Sequence, residues 1–508
     1  MRLRLAGSLA VLLLAGACGA AKTQVRSTPT PSRAARPSPS PSPSAAPSVI
    51  PSPPASSPSA APSPSRPTPI PTRAAPPPTT PAAPATAPAP AAFPDWPTYD
   101  ADAGHSAVAP ASPAASTAPT AAWTSSPLDG DDHGQPLVVG GSVIAATENN
   151  SVYAFSATTG RQLWMRHLGT PMAASALPCG DITPVSGITS TPVADPAAGL
   201  VYVVAFLSSR AHTLFALHLA DGSVAWSKPA DAPGLNPLTE QQRSALTLAN
   251  GMVYVPFGGL YGDCGTYRGA VVGFPANGSG ATISYVVPSQ NEAAIWAPGG
   301  APVDSAGDLY VATGNSSSSG AFDEGNAVIR LSPSLQQLSS FAPANWAALN
   351  RGDLDLGTMS PTLLQGGQVL QVGKTGIGYL LNAANLGGVG GQLASAQVCP
   401  TAFGGTAYTA PVVYVSCTSQ LVAVSVAGSG ISVTWRASGF YAGPPIVADG
   451  AVWTLDLTHN TLVEINPASG AVLHTVPTNA LAHFASPSAS GGLIFVPGLR
   501  AIQAFRVR

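Results

Sequence analysis

From about residue 137 to the C-terminus, apolar and polar positions alternate in short runs separated by Gly, Asn, Asp and Ser. That period of two, broken by turn residues every few positions, predicts strands rather than helices. The clearest unit reads Gly141-Ser142-Val143-Ile144-Ala145-Ala146, then Ser151-Val152-Tyr153-Ala154-Phe155, then Thr159-Gly160-Arg161-Gln162-Leu163-Trp164. A second copy runs Leu200-Val201-Tyr202-Val203-Val204, Leu214-Phe215-Ala216-Leu217, Asp221-Gly222-Ser223-Val224-Ala225-Trp226. The apolar residue closing the second strand aligns at Phe155, Leu217, Phe274, Leu331, Leu381, Val424, Ile465 and Phe505. Neighbouring copies lie about 60 residues apart early in the chain and about 40 apart late, and multi-stranded repeats of that length predict an eight-bladed β-propeller.

A ring must join its ends or leave an open sheet edge. The last copy, Leu493-Ile494-Phe495-Val496 and Ile502-Gln503-Ala504-Phe505, stops short of the Trp-bearing strand of the first two copies. An orphan strand of that kind, Ala121-Ala122-Trp123-Thr124, precedes the first copy. The expectation is an all-β fold whose N- and C-terminal strands together complete the eighth blade.

The first 92 residues follow other rules. Arg2 and Arg4 precede a short apolar run, Leu5 to Ala15, that suits the h-region of a signal peptide. Ala15-Gly16-Ala17-Cys18-Gly19 is similar to a bacterial lipobox, with Cys18 as the lipidated residue, and also reads as an A-x-A cleavage site. Residues 1–18 are therefore expected to be a lipoprotein-type signal, with release of a secreted protein as the alternative. Residues 19–92 are rich in Pro, Ser, Ala and Thr, and 23 of the 54 prolines fall between Pro29 and Pro90. Such a segment has little to bury and is expected to be a disordered stalk. Residues 93–508 carry 13 Lys/Arg against 23 Asp/Glu, because the first 94 residues hold eight of the 21 basic side chains and no acidic one. An acidic domain without basic clusters argues against nucleic acid as a partner.

The Gly-x-x-x-Trp repeats, with Asp95-Trp96-Pro97-Thr98-Tyr99-Asp100 at the head of the domain, resemble the eight-bladed quinoprotein (PQQ-type) propellers. Those include PQQ-dependent alcohol dehydrogenases and an outer-membrane assembly lipoprotein that shares the repeat without the cofactor. The resemblance implies a candidate site. Trp296 would form a floor under PQQ, with Lys374 and Arg268 beside the cofactor. Asp263, Asn315 and Asp355 would be oxygen ligands of a calcium ion, a hard cation that prefers such donors. Asp355 would also be the catalytic base, with Lys374 pairing the quinone oxygens. The chain departs from those enzymes in having no two adjacent cysteines.

Without Cys18, four cysteines remain and allow three pairings. Cys399 and Cys417 lie on successive strand-like segments, so Cys399–Cys417 is the expected local bridge and Cys179–Cys264 would then tie two blades. Asp129, Asp131, Asp132 and His133 form an acidic group expected to be an exposed turn. There is no Cys-x-x-Cys-His haem motif and no Gly-x-Ser-x-Gly elbow. The leading expectation for function is an extracytoplasmic, membrane-anchored monomer acting as a binding or scaffold module for a protein, peptide or glycan. The alternative is a calcium/PQQ-dependent dehydrogenase of an alcohol or sugar, and a third reading is a calcium or small-ligand receptor without redox chemistry.

Overall fold

The computed structural model describes residues 93–110 and 117–507. The signal sequence, Cys18 and the stalk lie outside the described residues.

Eight sheets of four or more strands follow one another along the chain, antiparallel throughout except that Gly388–Val389 joins the fourth sheet parallel to Gln337–Ala342. Blade 1 comprises Leu137–Val139, Ser142–Ala146, Ser151–Ser156 and Gln162–His167. Blade 2 runs from Val193–Asp195 to Val224–Pro229, and blade 3 from Thr247–Ala249 to Ile283–Val286. Blade 4 runs from Leu309–Ala312 to Gln337–Ala342, and blade 5 from Thr362–Leu364 to Ala394–Gln397. Blade 6 runs from Ala402–Thr409 to Gly430–Ser438, and blade 7 from Ile446–Ala448 to Val472–Pro477. Blade 8 takes Ser488–Ser490, Leu493–Gly498 and Ala501–Arg506 from the C-terminus and Thr120–Thr124 from the N-terminal side. In that closure Ala121 lies opposite Phe505 and Trp123 opposite Ala504. No helix among the described residues is long and apolar enough to cross a membrane.

The repeat residues explain the packing. Phe155, Leu217, Phe274, Leu331, Leu381, Val424, Ile465 and Phe505 are all buried. In every blade but the fourth they sit on the third strand rather than the second, because a short innermost strand precedes the first apolar run seen in the sequence; in blade 4 a single bridge at Val303 takes that strand's place. Beside five of them, and opposite Phe505, the pairing to the outermost strand slips by one residue. Where the outermost strand carries Trp, that slip comes immediately before it and the indole lies against the next blade. The Trp123 Nε1 donates to the Ala157 carbonyl at 2.9 Å, Trp164 to Leu219 at 2.9 Å, and Trp435 to Pro467 at 2.9 Å. Each indole lies on a glycine of the neighbouring blade. A Cβ at Gly160 would stand 2.5 Å from the Trp123 ring, and one at Gly222 2.5 Å from Trp164. Both glycines also have φ near +69°, so sterics and backbone conformation select the same residue.

Connections alternate between the two ends of the channel. Links between first and second strands, and between third and fourth, are mostly short turns at one end. Links between blades, and between second and third strands, emerge at the other end and include the long excursions. Residues 93–110 seal the end with the short turns. Trp96 and Val138 exchange backbone hydrogen bonds, Ala194 donates to Pro97, Val303 to Ala103 and Tyr408 to Ser106, and Val447 pairs with Ala107 and Ala109. The Ser490 hydroxyl donates to the Pro94 carbonyl at 2.6 Å. This segment therefore touches blades 1, 2, 4, 6, 7 and 8. Gln135 locks it in place. Its Oε1 accepts from the Trp96 indole at 3.0 Å and the Asp100 amide at 2.8 Å, while its Nε2 donates to Ser486 Oγ at 2.8 Å. The channel is thus a funnel, open at the end with the long connections and closed at the other.

Candidate functional site

The residues singled out in the sequence meet at the open end. Asp355 follows the short helix Trp346–Arg351 and is buried. Its Oδ1 accepts the Asn315 amide N–H at 2.7 Å, and its Oδ2 takes the Lys374 ammonium at 2.9 Å. Lys374 also reaches Asp353 Oδ1 at 2.7 Å. Gly314 leaves room for this approach, since a Cβ there would lie 3.0 Å from Asp355 Oδ1 and 3.2 Å from the Trp296 Nε1. Trp296, Asn315, Asp355 and Lys374 therefore form one continuous group, with Trp296 and Asp355 on the connections leading into blades 4 and 5 and Asn315 and Lys374 on links within those blades.

Asp263 and Arg268 stand beside that group. Asp263 Oδ1 accepts from the Tyr267 hydroxyl at 2.6 Å. Arg268 donates its amide to Glu240 at 3.3 Å and one guanidinium N–H to the Ser289 carbonyl at 3.5 Å. Glu292, which sequence reasoning missed, joins the two halves. It accepts from Asn315 Nδ2 at 3.3 Å and bridges to Arg268 and Ser316 through its backbone. Its carboxyl is held above the usual carboxylate range by burial and by the negative field of Asp263, Asp355 and Asp353. Burial likewise lifts Asp355, against the pull of Lys374 and the Asn315 amide. Burial disfavours the Lys374 charge, but Asp355 and Asp353 outweigh it and raise Lys374 above its ordinary value.

As arranged, the donors do not form a cation cage. Among the described residues no three His, Cys, Asp or Glu side chains are gathered to hold a metal. Asp263 is committed to Tyr267, and Asp355 to Lys374, whose ammonium stands where a cation would need the carboxylate. The proposed ligand set of Asp263, Asn315 and Asp355 does not fit calcium in this geometry.

A second group lies deeper in the funnel. Phe403, Phe484 and Trp296, from the starts of blades 6, 8 and 4, approach one another with ring centroids 6.1–6.2 Å apart. The Arg243 guanidinium carbon sits 4.6 Å over the Phe484 ring, and His483 stacks on the same ring at 4.0 Å. Below them His133, Gln135, Thr191 and Tyr99 line a small cavity that Arg243 and Phe484 also border. The acidic group at 129–133 is thus not a simple exposed turn. Asp132 is buried, His133 faces the cavity, Asp129 accepts from Thr147, Asn149 and Ser151, and Asp131 pairs with Arg500. The sequence did offer one cue to Arg243. In a chain with only 9% charged residues, it stands two positions before the apolar run that starts blade 3.

Two disulfides join the described cysteines, Cys179–Cys264 and Cys399–Cys417, with Cα atoms 6.0 and 6.5 Å apart. The first ties the excursion between blades 1 and 2 to the loop of blade 3 that carries Asp263.

Residues 116–348 match the sequence profile of the outer membrane protein assembly factor BamB family. No curated protein matches the chain. Among solved structures, the quinohemoprotein alcohol dehydrogenase ADHIIG of Pseudomonas putida HK5 is similar with a TM-score of 0.65 and 14% identity, over 81% of this chain and 80% of that one. The quinohemoprotein alcohol dehydrogenase of Comamonas testosteroni gives 0.63 and 14%, over 82% and 80%. BamB from Moraxella catarrhalis gives 0.54 and 12%, over 76% and 99%. The chain has the PQQ-type eight-bladed propeller fold, related to both dehydrogenases and BamB.

Proposed function

We propose that this chain is an extracytoplasmic propeller, anchored to the outer face of the cell membrane through Cys18, that works as a binding or scaffold module. The observation that carries the reading is the asymmetry of the ring. One end is sealed by residues 93–110, and the other gathers the long connections and the charged and aromatic side chains. The BamB profile match supports a role without redox chemistry. Protein, peptide and glycan partners all suit such a face.

A second reading, a calcium/PQQ-dependent dehydrogenase, is favoured by one observation. Trp296, Asn315, Asp355 and Lys374 converge around Gly314. Against it stands the engagement of Asp355 by Lys374, which leaves no cation cage.

The two readings separate in one experiment. The purified chain is mixed with PQQ and calcium, or a lanthanide, then freed of excess ligand and assayed with a dye acceptor over alcohols and sugars. The binding reading expects no retained cofactor absorbance and no turnover. Turnover that Asp355→Asn abolishes would establish the dehydrogenase instead. Metabolic labelling with palmitate, lost in Cys18→Ser, tests the anchor.

A further inference from the structure

Buried polar groups in folded proteins are nearly always paired, so an orphaned one in a cavity points to a missing partner. The bottom of the funnel concentrates such atoms. Arg243 Nε, His133 Nδ1 and Glu148 Oε1 are shielded from solvent and have no hydrogen-bond partner. Arg243 is the decisive one. Among the described residues no carboxylate lies within 4.0 Å of its guanidinium, whereas Arg330 and Arg500 each hold an aspartate. The Arg243 Nε is shielded although the residue is half-buried, and a charged donor left buried without a partner is costly.

The surroundings define what would complete it. The guanidinium carbon lies over Phe484, which covers one side and leaves the N–H fork for a ligand. That fork matches a planar carboxylate through two parallel hydrogen bonds. Thr191 accepts the Gln135 amide at 2.8 Å, so its hydroxyl proton remains available to the same cavity. The acidic neighbours do not supply the anion. Asp131 is tied to Arg500, Asp181 is exposed, and Glu148 takes the Gly187 amide N–H on Oε2 at 2.6 Å with Oε1 facing His133 at 3.9 Å. Residues 93–110 close the funnel beneath, so an entering chain must end there rather than pass through. The Phe403–Phe484–Trp296 triangle above offers apolar surface to whatever carries the anion.

We infer that Arg243 anchors a carboxylate subsite at the bottom of the funnel, filled by a free carboxylate of a small organic acid or of a polypeptide C-terminus. This deepens the binding-module reading and rests on the funnel being its ligand site.

The test titrates the full chain by calorimetry with acetate, the tripeptide Ala-Ala-Phe, its C-terminal amide, and inorganic phosphate. The free tripeptide or acetate is expected to bind, the amide to bind at least about tenfold more weakly than the acid, and phosphate more weakly than either carboxylate. A tripeptide about tenfold tighter than acetate assigns the subsite to a chain end, and equal affinities assign it to a small acid. R243Q is expected to lose binding, and R243K to fall between R243Q and the parent. Should R243Q fail to fold, R243K and F484L carry the comparison, with thermal melting as the control. Equal binding of acid and amide, preference for phosphate, or unchanged affinity in folded R243Q or R243K overturns the carboxylate subsite and leaves the funnel reading intact. No binding of any probe overturns both.

Discussion

At the scale of single residues, the fold turns on indole-on-glycine contacts. Trp164 and Gly222 make one of them, with 2.5 Å between the ring and the place a Cβ would occupy. Gly222→Val must push the indole off its seat and hold a β-branched residue at positive φ, so a loss of about 3 kcal/mol is expected in denaturant melts. Gly199, also at positive φ but with open space around it, should tolerate Ala at a smaller cost, near 1 kcal/mol by rough comparison with other strained turns. The Asp355–Lys374 pair is a second residue-scale test. Lys374→Met leaves a buried carboxylate without its countercharge and is expected to cost roughly 3 kcal/mol, with the double variant Asp355→Asn/Lys374→Met recovering most of that loss. If the single variant melts like the parent, the pair is a solvated surface contact.

At the scale of elements, the decreasing spacing of the repeats has a structural meaning. The blades cost about 40 residues each, as the late copies show, and the surplus in the early copies builds the excursions that carry Cys179, Arg243, Cys264, Trp296, Asn315 and Asp355. Residues 93–110 are the other decisive element. A chain beginning at residue 117 keeps the closing strand Thr120–Thr124 but loses Trp96 from the core, so its thermal midpoint is expected to drop by several degrees while it still folds. An unchanged midpoint would show that the seal contributes nothing. Strands, ring closure and both disulfides were legible in the sequence because alternation, turn glycines and cysteine placement are local signals. The same is true of Trp296, Asn315, Asp355 and Lys374, which carry short motifs. The seal was not legible. Its chain runs through positive φ at Asp100, Ala101, His105 and Ala107, held by six blades rather than by any periodicity of its own. Phe403, Phe484 and Glu292 were missed for a related reason, since each comes from a different blade and only closure brings them together.

At the scale of the whole molecule, buried titratable groups set the pH response. Burial raises Asp132 to about 8, Glu148 to about 7 and Glu240 to about 8, against roughly 4 for carboxyls in an unfolded chain. The folded protein therefore binds more protons than the unfolded one, and the stabilisation these protons give is lost as pH rises through 7 and 8. His105 and His133 act in the opposite sense, because burial lowers both to about 4 from near 6.5, which makes stability rise with pH over that lower window. The two effects largely oppose each other below pH 6.5, and only the carboxyls remain above it. The melting temperature is expected to fall steadily from pH 6.5 to pH 8.5, and a rise over that range would refute the burial of these acids. The account as a whole depends on the ring being shut by strands from both ends of the domain. Thr120 and Arg506 are exposed cross-strand partners in that closure, and directly opposed antiparallel residues lie within disulfide reach, about 5 Å apart. In the double variant Thr120→Cys/Arg506→Cys, mass spectrometry of the oxidised, proteolysed protein should find a peptide linking positions 120 and 506 in most molecules. Recovery of both positions as unlinked thiols in folded protein would contradict the closed ring.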